Sequence, residues 1–90
     1  MTVHEQLVTI LVDTLGADVE QVVAGASLTH DLGADSLDLI QVAMALEEAL
    51  GIEISDDDID ELAKGTVGQA LAFLEARLED VRPEQEARRG

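Results

Sequence analysis

Apolar residues recur at helical spacing through most of this chain, and the breaks between the runs fall at capping residues and glycines. Val3, Leu7, Ile10, Leu11 and Leu15 form one face of a helix over about residues 2–15, opened by the capping-box spacing of Thr2-Val3-His4-Glu5 and stopped at Gly16. A second run starts at Asp35 or Ser36 and ends near Leu50, with Gly51 as its stop. Ser55 followed by Asp56, Asp57 and Asp58 places a cap ahead of acids that the helix dipole favours, and predicts a short helix over Asp56–Ala63 that buries Ile59 and Leu62. Thr66-Val67-Gly68-Gln69 repeats the capping-box spacing and opens a last helix whose Val67, Ala70, Leu71, Leu74 and Leu78 make a core stripe.

Residues 16–35 join the first two helices by a connection longer than structureless loops usually are, so its own apolar residues should tack it down. Val19, Val22, Leu28 and Leu32 are the expected anchors, Asp18 the cap of a short turn, and Gly25 and Gly33 the sources of unusual backbone angles. No useful stretch alternates as a strand would. The fold class expected is all-α: a small bundle of three main helices plus one short helix, the long loop between the first two crossing one end. One domain over residues 1–80 is expected, followed by a disordered polar tail over 81–90 that contains Pro83.

The second helix has two apolar faces. At roughly 100° per residue, Leu39, Val42, Ala43, Leu46 and Leu50 form one stripe, while Leu37, Ile40 and Met44 point the other way. One helix of a small bundle cannot bury both. Asp35 and Asp38 stand at the head of the second face, with Glu47 and Glu48 beside it, so an apolar strip edged by acids is left to solvent. Such a strip suits docking: charge steers the encounter, and Met44 adapts to different shapes.

Ninety residues, 47% of them hydrophobic, provide one modest core, and there is no cysteine to staple it. Any thiol chemistry must come from an added group. No apolar run reaches the roughly 18 residues of a membrane span, and the N-terminus lacks the order of a signal or transit peptide. A cytoplasmic location and no membrane insertion are expected. The formal charge is −15, and residues 1–63 hold fifteen acids and no Lys or Arg. That field repels nucleic acid and anionic lipid and attracts basic protein surfaces. The run Asp56, Asp57, Asp58, Asp60 and Glu61 lacks the alternating ligands and central glycine of a calcium loop, and no metal site is expected there.

The chemistry concentrates in Asp31-Leu32-Gly33-Ala34-Asp35-Ser36-Leu37-Asp38, which sets one serine at the junction of a glycine-containing loop and a helix. A serine in that place is ordinarily a cap, but Asp35 can cap instead and leave the Ser36 hydroxyl free. His4 and His30 are the only histidines, and neither forms an evident base–nucleophile pair with Ser36, so a catalytic serine is not indicated.

This octet, followed by Met44-Ala45-Leu46-Glu47-Glu48, closely resembles the acyl carrier proteins of fatty-acid and polyketide synthesis. The resemblance covers about residues 3–80 and is most specific over 31–48. It implies that Ser36, flanked by Asp35 and Leu37, carries 4'-phosphopantetheine, installed by a phosphopantetheinyl transferase that supplies coenzyme A, Mg²⁺ and the base. The chain would then be a monomeric carrier of acyl cargo, no enzyme itself, that docks on basic surfaces of synthase, transferase or ligase enzymes. The second helix is the main recognition element of that family, which assigns Asp38, Ile40, Gln41, Met44, Glu47 and Glu48 to partner binding. Gln41 departs from the acidic residue common at its place. An acyl chain is expected to shelter between the second and last helices, lined by Ala43, Leu46, Leu71 and Leu74. Gly33-Ala34-Asp35-Ser36-Leu37 favours acyl over peptidyl carriers, while fatty-acid, polyketide and specialised acyl or aminoacyl pathways stay open. The rivals are an unmodified carrier-like adaptor using the same acidic helix, and an acidic divalent-ion buffer.

Overall fold

The computed structural model describes residues 2–89, with side chains described through residue 79. Its helices are α1 Val3–Leu15, α2 Ser36–Leu50, α3 Asp56–Lys64 and α4 Val67–Arg89, with one 3-10 turn, Val19–Gln21, in the long connection. The all-α bundle expected from the sequence is the fold observed. The expected tail over 81–90 lies outside the residues whose side chains are described.

Local sequence accounts for the helix ends. Thr2 Oγ1 accepts the Glu5 N–H at 3.1 Å while Glu5 Oε1 accepts the Thr2 N–H at 3.1 Å, closing the capping box of α1. Thr66 and Gln69 do the same for α4, at 3.2 and 2.9 Å. At the other ends, Gly16 and Gly51 take left-handed φ values of 69° and 70°, and each donates its N–H back into the helix it terminates.

The core is apolar throughout among the described residues. Leu7 and Leu11 of α1 meet Leu39, Val42, Ala43 and Leu46 of α2 and Val67, Ala70 and Leu74 of α4. Helix α3 buries only Leu62, with Ile59 half-buried, and Ile52 and Ile54 of the α2–α3 connection fill the remaining space. Truncating one of the fully buried leucines, such as Leu74, should cost about 3 kcal/mol, a large share of what a domain this size can lose.

The long connection is tied down more by backbone than by side chains. Leu28 N–H donates to Gly65 O, Val67 N–H to Ala26 O and Gly68 N–H to Ala24 O, at 3.3, 2.9 and 2.9 Å, so the loop is stitched to the α3–α4 junction. Gly68 permits this approach, because a Cβ there would stand 3.1 Å from Ala24 O. Val22, Leu28 and half-buried Leu32 anchor the loop as expected, joined by Ala26 and Ala34. Two expectations are corrected. Val19 is 63% exposed, because the 3-10 turn that it opens sends Val22 inward and Val19 out. Gly25 needs no left-handed angle; that role falls to Gly33, at φ 73°.

Candidate functional site

Asp35 is the N-cap of α2: its Oδ1 accepts the Asp38 N–H at 2.9 Å, and Asp38 Oδ2 accepts the Asp35 N–H at 3.3 Å. The first turn is therefore satisfied without the serine between them. Ser36 is exposed, and its hydroxyl makes no hydrogen bond among the described residues. The other two serines are committed. Ser27 Oγ accepts the His30 N–H at 3.1 Å, and Ser55 Oγ accepts the Asp58 N–H at 3.2 Å as cap of α3. Asp31 turns its Oδ2 to the Ser27 N–H at 2.7 Å and closes the turn ahead of Gly33. His30 is exposed in that turn.

Beyond Ser36, α2 presents the face read from its periodicity. Leu37, Ile40 and Met44 are 63%, 44% and 61% exposed, while Leu39, Val42, Ala43 and Leu46 are buried behind them. Asp35, Gln41 and Glu48 are exposed around the strip, and Asp38 at its head is half-buried. Glu47 has a second occupation that the sequence did not reveal. Its Oε2 accepts the Ile54 N–H at 2.8 Å, which ties the α2–α3 connection to α2 and leaves the residue half-buried.

The serine also stands at the mouth of a cleft. A space of about 330 Å³ opens between α2 and α3, lined by Ser36, Leu39, Ile40, Asp56, Ile59, Asp60 and Ala63. The sequence suggests instead that the bundle parts between α2 and α4 to shelter a chain, with Ala43, Leu46, Leu71 and Leu74 as the lining. In the unacylated protein Ala43, Leu46 and Leu74 are closed into the core, Leu71 is half-buried, and none of the four borders the space at Ser36.

The acidity of Asp58, in the first turn of α3, is shifted. The Ser55 N–H holds its carboxyl below the usual carboxylate range, aided by the Ser55 hydroxyl and the Arg77 guanidinium and opposed by desolvation. Among the described residues no three acids or histidines gather as a metal-ligand set, and no helix is long and apolar enough to cross a membrane.

A small helical bundle that offers one uncommitted serine at the head of an exposed helix has the form of a carrier domain, built to be modified and handled by other proteins. The phosphopantetheine attachment site family matches residues 5–74, a span that includes Ser36 and all of α2 and α3. An acyl carrier protein of Sinorhizobium fredii and one of Rhizobium meliloti are each 48% identical over 73 residues, covering 81% of this chain and 91% of the relative. An acyl carrier protein of Nitratidesulfovibrio vulgaris is 47% identical over 74 residues, 82% of this chain and 95% of its own length. The chain belongs to the acyl carrier protein family. Its prosthetic group is accordingly 4'-phosphopantetheine, and its role is to carry rather than to catalyse.

Proposed function

We propose that Ser36 Oγ is the attachment point, and that the chain holds acyl intermediates for fatty-acid or polyketide-type biosynthesis. The observation that carries this reading is the contrast among the three serines: Ser27 and Ser55 spend their hydroxyls on backbone N–H groups, whereas Ser36 is exposed and spends none. In the reaction Ser36 Oγ attacks the pantetheine-bearing phosphorus of coenzyme A, the phosphoanhydride bond breaks, and adenosine 3',5'-bisphosphate leaves as the serine proton passes to a base of the transferase. No oxidant or reductant is involved. The N-terminal end of α2 favours the negative phosphodiester that results, which offsets part of its repulsion from Asp35 and Asp38. Once attached, the arm supplies a terminal thiol that holds acyl groups as thioesters.

The rest of the chain positions. Asp35 and Asp38 fix the turn that presents Ser36, and Leu37 flanks it on the exposed side. Ile40, Gln41, Met44 and Glu48, with Asp38 and the outer edge of Glu47, form the surface for the transferase and for basic synthase, transferase and ligase enzymes. The carrier unit ends near residue 80, acts as a monomer and works in the cytoplasm. Intact mass tests the assignment: incubation with coenzyme A and a broad-specificity transferase should add one phosphopantetheine to the parent protein and none to Ser36→Ala. An increment retained by Ser36→Ala would refute it.

A further inference from the structure

Helix α3 is the least anchored element of the bundle. It buries Leu62 alone and has open space on both sides: the cleft of about 330 Å³ toward α2 beside Ser36, and a groove of about 440 Å³ toward α4 that Leu62, Gln69 and Phe73 help to line. Apolar packing therefore leaves its position loosely determined. Its acids make matters worse, since Asp56, Asp57, Asp58, Asp60 and Glu61 crowd one short helix with Glu53 just ahead of it.

Among the described residues, one cation answers this cluster from another element. Arg77, on α4, donates from Nη1 to Glu53 O at 3.1 Å and from Nη2 to Asp58 Oδ2 at 3.3 Å, and its guanidinium lies 4.9 Å from the centroid of the Phe73 ring. The oxygen it contacts is the one that accepts the Ser55 N–H at 3.1 Å in the α3 capping box. A single side chain thus grips the backbone of the α2–α3 connection and the first turn of α3, while its guanidinium is steadied over an aromatic face. From the opposite side Glu47 holds the same connection through Ile54. Residues 1–63 contain no Lys or Arg that could do this instead.

We propose that Arg77 is a positioning residue, a latch that fixes α3 to α4 and so sets how readily the α2–α3 cleft beside Ser36 opens. The link from this latch to cargo rests on the attachment reading above, but the latch itself does not. Helix α3 supplies one wall of the cleft through Asp56, Ile59, Asp60 and Ala63, so freedom at its first turn is freedom of that wall. When Arg77 is withdrawn, Asp58 loses this counter-charge and the α2–α3 connection is left with the Glu47 tie and the burial of Ile52 and Ile54.

Amide hydrogen exchange on the unmodified protein, in a Ser36→Ala background so that no arm is present, tests this without relying on the attachment. Arg77→Gln should accelerate exchange of the α3 amides after Asp58 by about fivefold, the size expected when a partly exposed ion pair and the stacking of its cation on a ring are removed together. Amides of Leu11 and Leu74 should keep their parental rates. Shifts of Ile59, Ala63, Leu39 and Ile40 should move together, because both walls of the cleft respond. Asp58→Asn removes the charge from the other side and provides the same readout should Arg77→Gln fold poorly; the double variant should exchange no faster than the faster single one. Unchanged α3 rates in both single variants, or an equal acceleration in every helix, would overturn the latch.

Discussion

Asp35 Oδ1 takes the Asp38 N–H at 2.9 Å, and through that bond a carboxylate occupies the capping place that a serine at a helix start would otherwise fill. Ser36, the first residue of α2, is thereby freed of capping duty. Presentation and stability are separated at this site: the cap belongs to Asp35, and the Ser36 hydroxyl is left for the proposed attachment.

It follows that the two residues should respond differently to substitution. Asp35→Ala should lower stability by about 1 kcal/mol through loss of the cap, while Asp35→Asn, which keeps an acceptor, should stay near the parent. Ser36→Ala should leave the melting temperature and helical circular dichroism unchanged. Urea melts of the three variants check the ranking, and an Asp35→Ala protein as stable as the parent would show that the cap contributes nothing.

Glu47 and Glu48, adjacent in sequence and both acidic, should also part company. Glu48→Lys changes an exposed charge, so it should slow association with a basic partner while shifting stability by less than about 0.5 kcal/mol. Glu47→Lys removes the acceptor of the Ile54 N–H and should cost about 1 kcal/mol, with Glu47→Gln restoring most of it. Stopped-flow association rates at two salt concentrations, set beside denaturant melts, distinguish the two roles.

The elements that could be read from sequence are those whose causes are local. Capping boxes at Thr2 and Thr66, the Ser55 cap, and the glycine stops at 16 and 51 each lie within a few residues of what they control, and the stripes of α1, α2 and α4 repeat often enough to be unmistakable. The long connection was legible only in part. Its fastening to Gly65, Val67 and Gly68 uses backbone groups far apart in the chain, which leave no side-chain pattern, and a three-residue turn is too short for periodicity to say that Val22 faces in and Val19 out. The α2–α3 cleft was not legible for a related reason. Stripe centres such as Leu46 and Leu74 pack to closure, whereas a gap forms where stripe edges such as Leu39, Ile40 and Ile59 meet incompletely. Arg77 left one signal that could have been used: with Lys64 it is one of two Lys or Arg residues in the first 79 positions of a strongly acidic chain.

The depressed acidity of Asp58 gives a pH dependence of known sign. A carboxyl whose folded value lies below its unfolded one adds stability that is fully present above the unfolded value and is lost as pH falls through the folded one. The melting-temperature difference between the parent and Asp58→Asn should therefore be constant near neutrality and shrink only below the ordinary carboxylate range. Taking the difference removes the contribution of the other acids, which titrate in both proteins. A difference that stayed constant down to the lowest accessible pH would remove Asp58 from the account of acid sensitivity.

Fifteen acids without a base before Lys64 must repel one another in the compact state. Raising salt from low to physiological ionic strength should shorten the screening length and raise the melting temperature by about 5 °C, the change expected when roughly 1 kcal/mol is relieved in a domain of this size. Millimolar Mg²⁺ should act in the same direction through diffuse association with the aspartates of α3. Calorimetric scans across a salt series measure both effects, and a flat series would show that the bundle tolerates its charge without strain.

The position of the cleft predicts where an acyl chain settles once Ser36 is loaded. A short apolar chain at the mouth of the α2–α3 space can leave water by passing between Leu39, Ile40 and Ile59, which line that space together with the more polar Ser36, Asp56 and Asp60. Entry between α2 and α4 would require opening Leu46 and Leu74, which are closed to solvent and whose separation would expose core surface at about 25 cal/mol per Å². The first route is therefore cheaper for the fold, and its opening is governed by the helix that Arg77 holds. Comparison of backbone and methyl shifts between octanoyl-loaded and unacylated protein should show the largest changes at Leu39, Ile40, Ile59 and Ala63, with small ones at Ala43, Leu46, Leu71 and Leu74. Arg77→Gln should enlarge the first set. The reverse pattern, with the largest changes at Leu71 and Leu74, would place the chain between α2 and α4 after all.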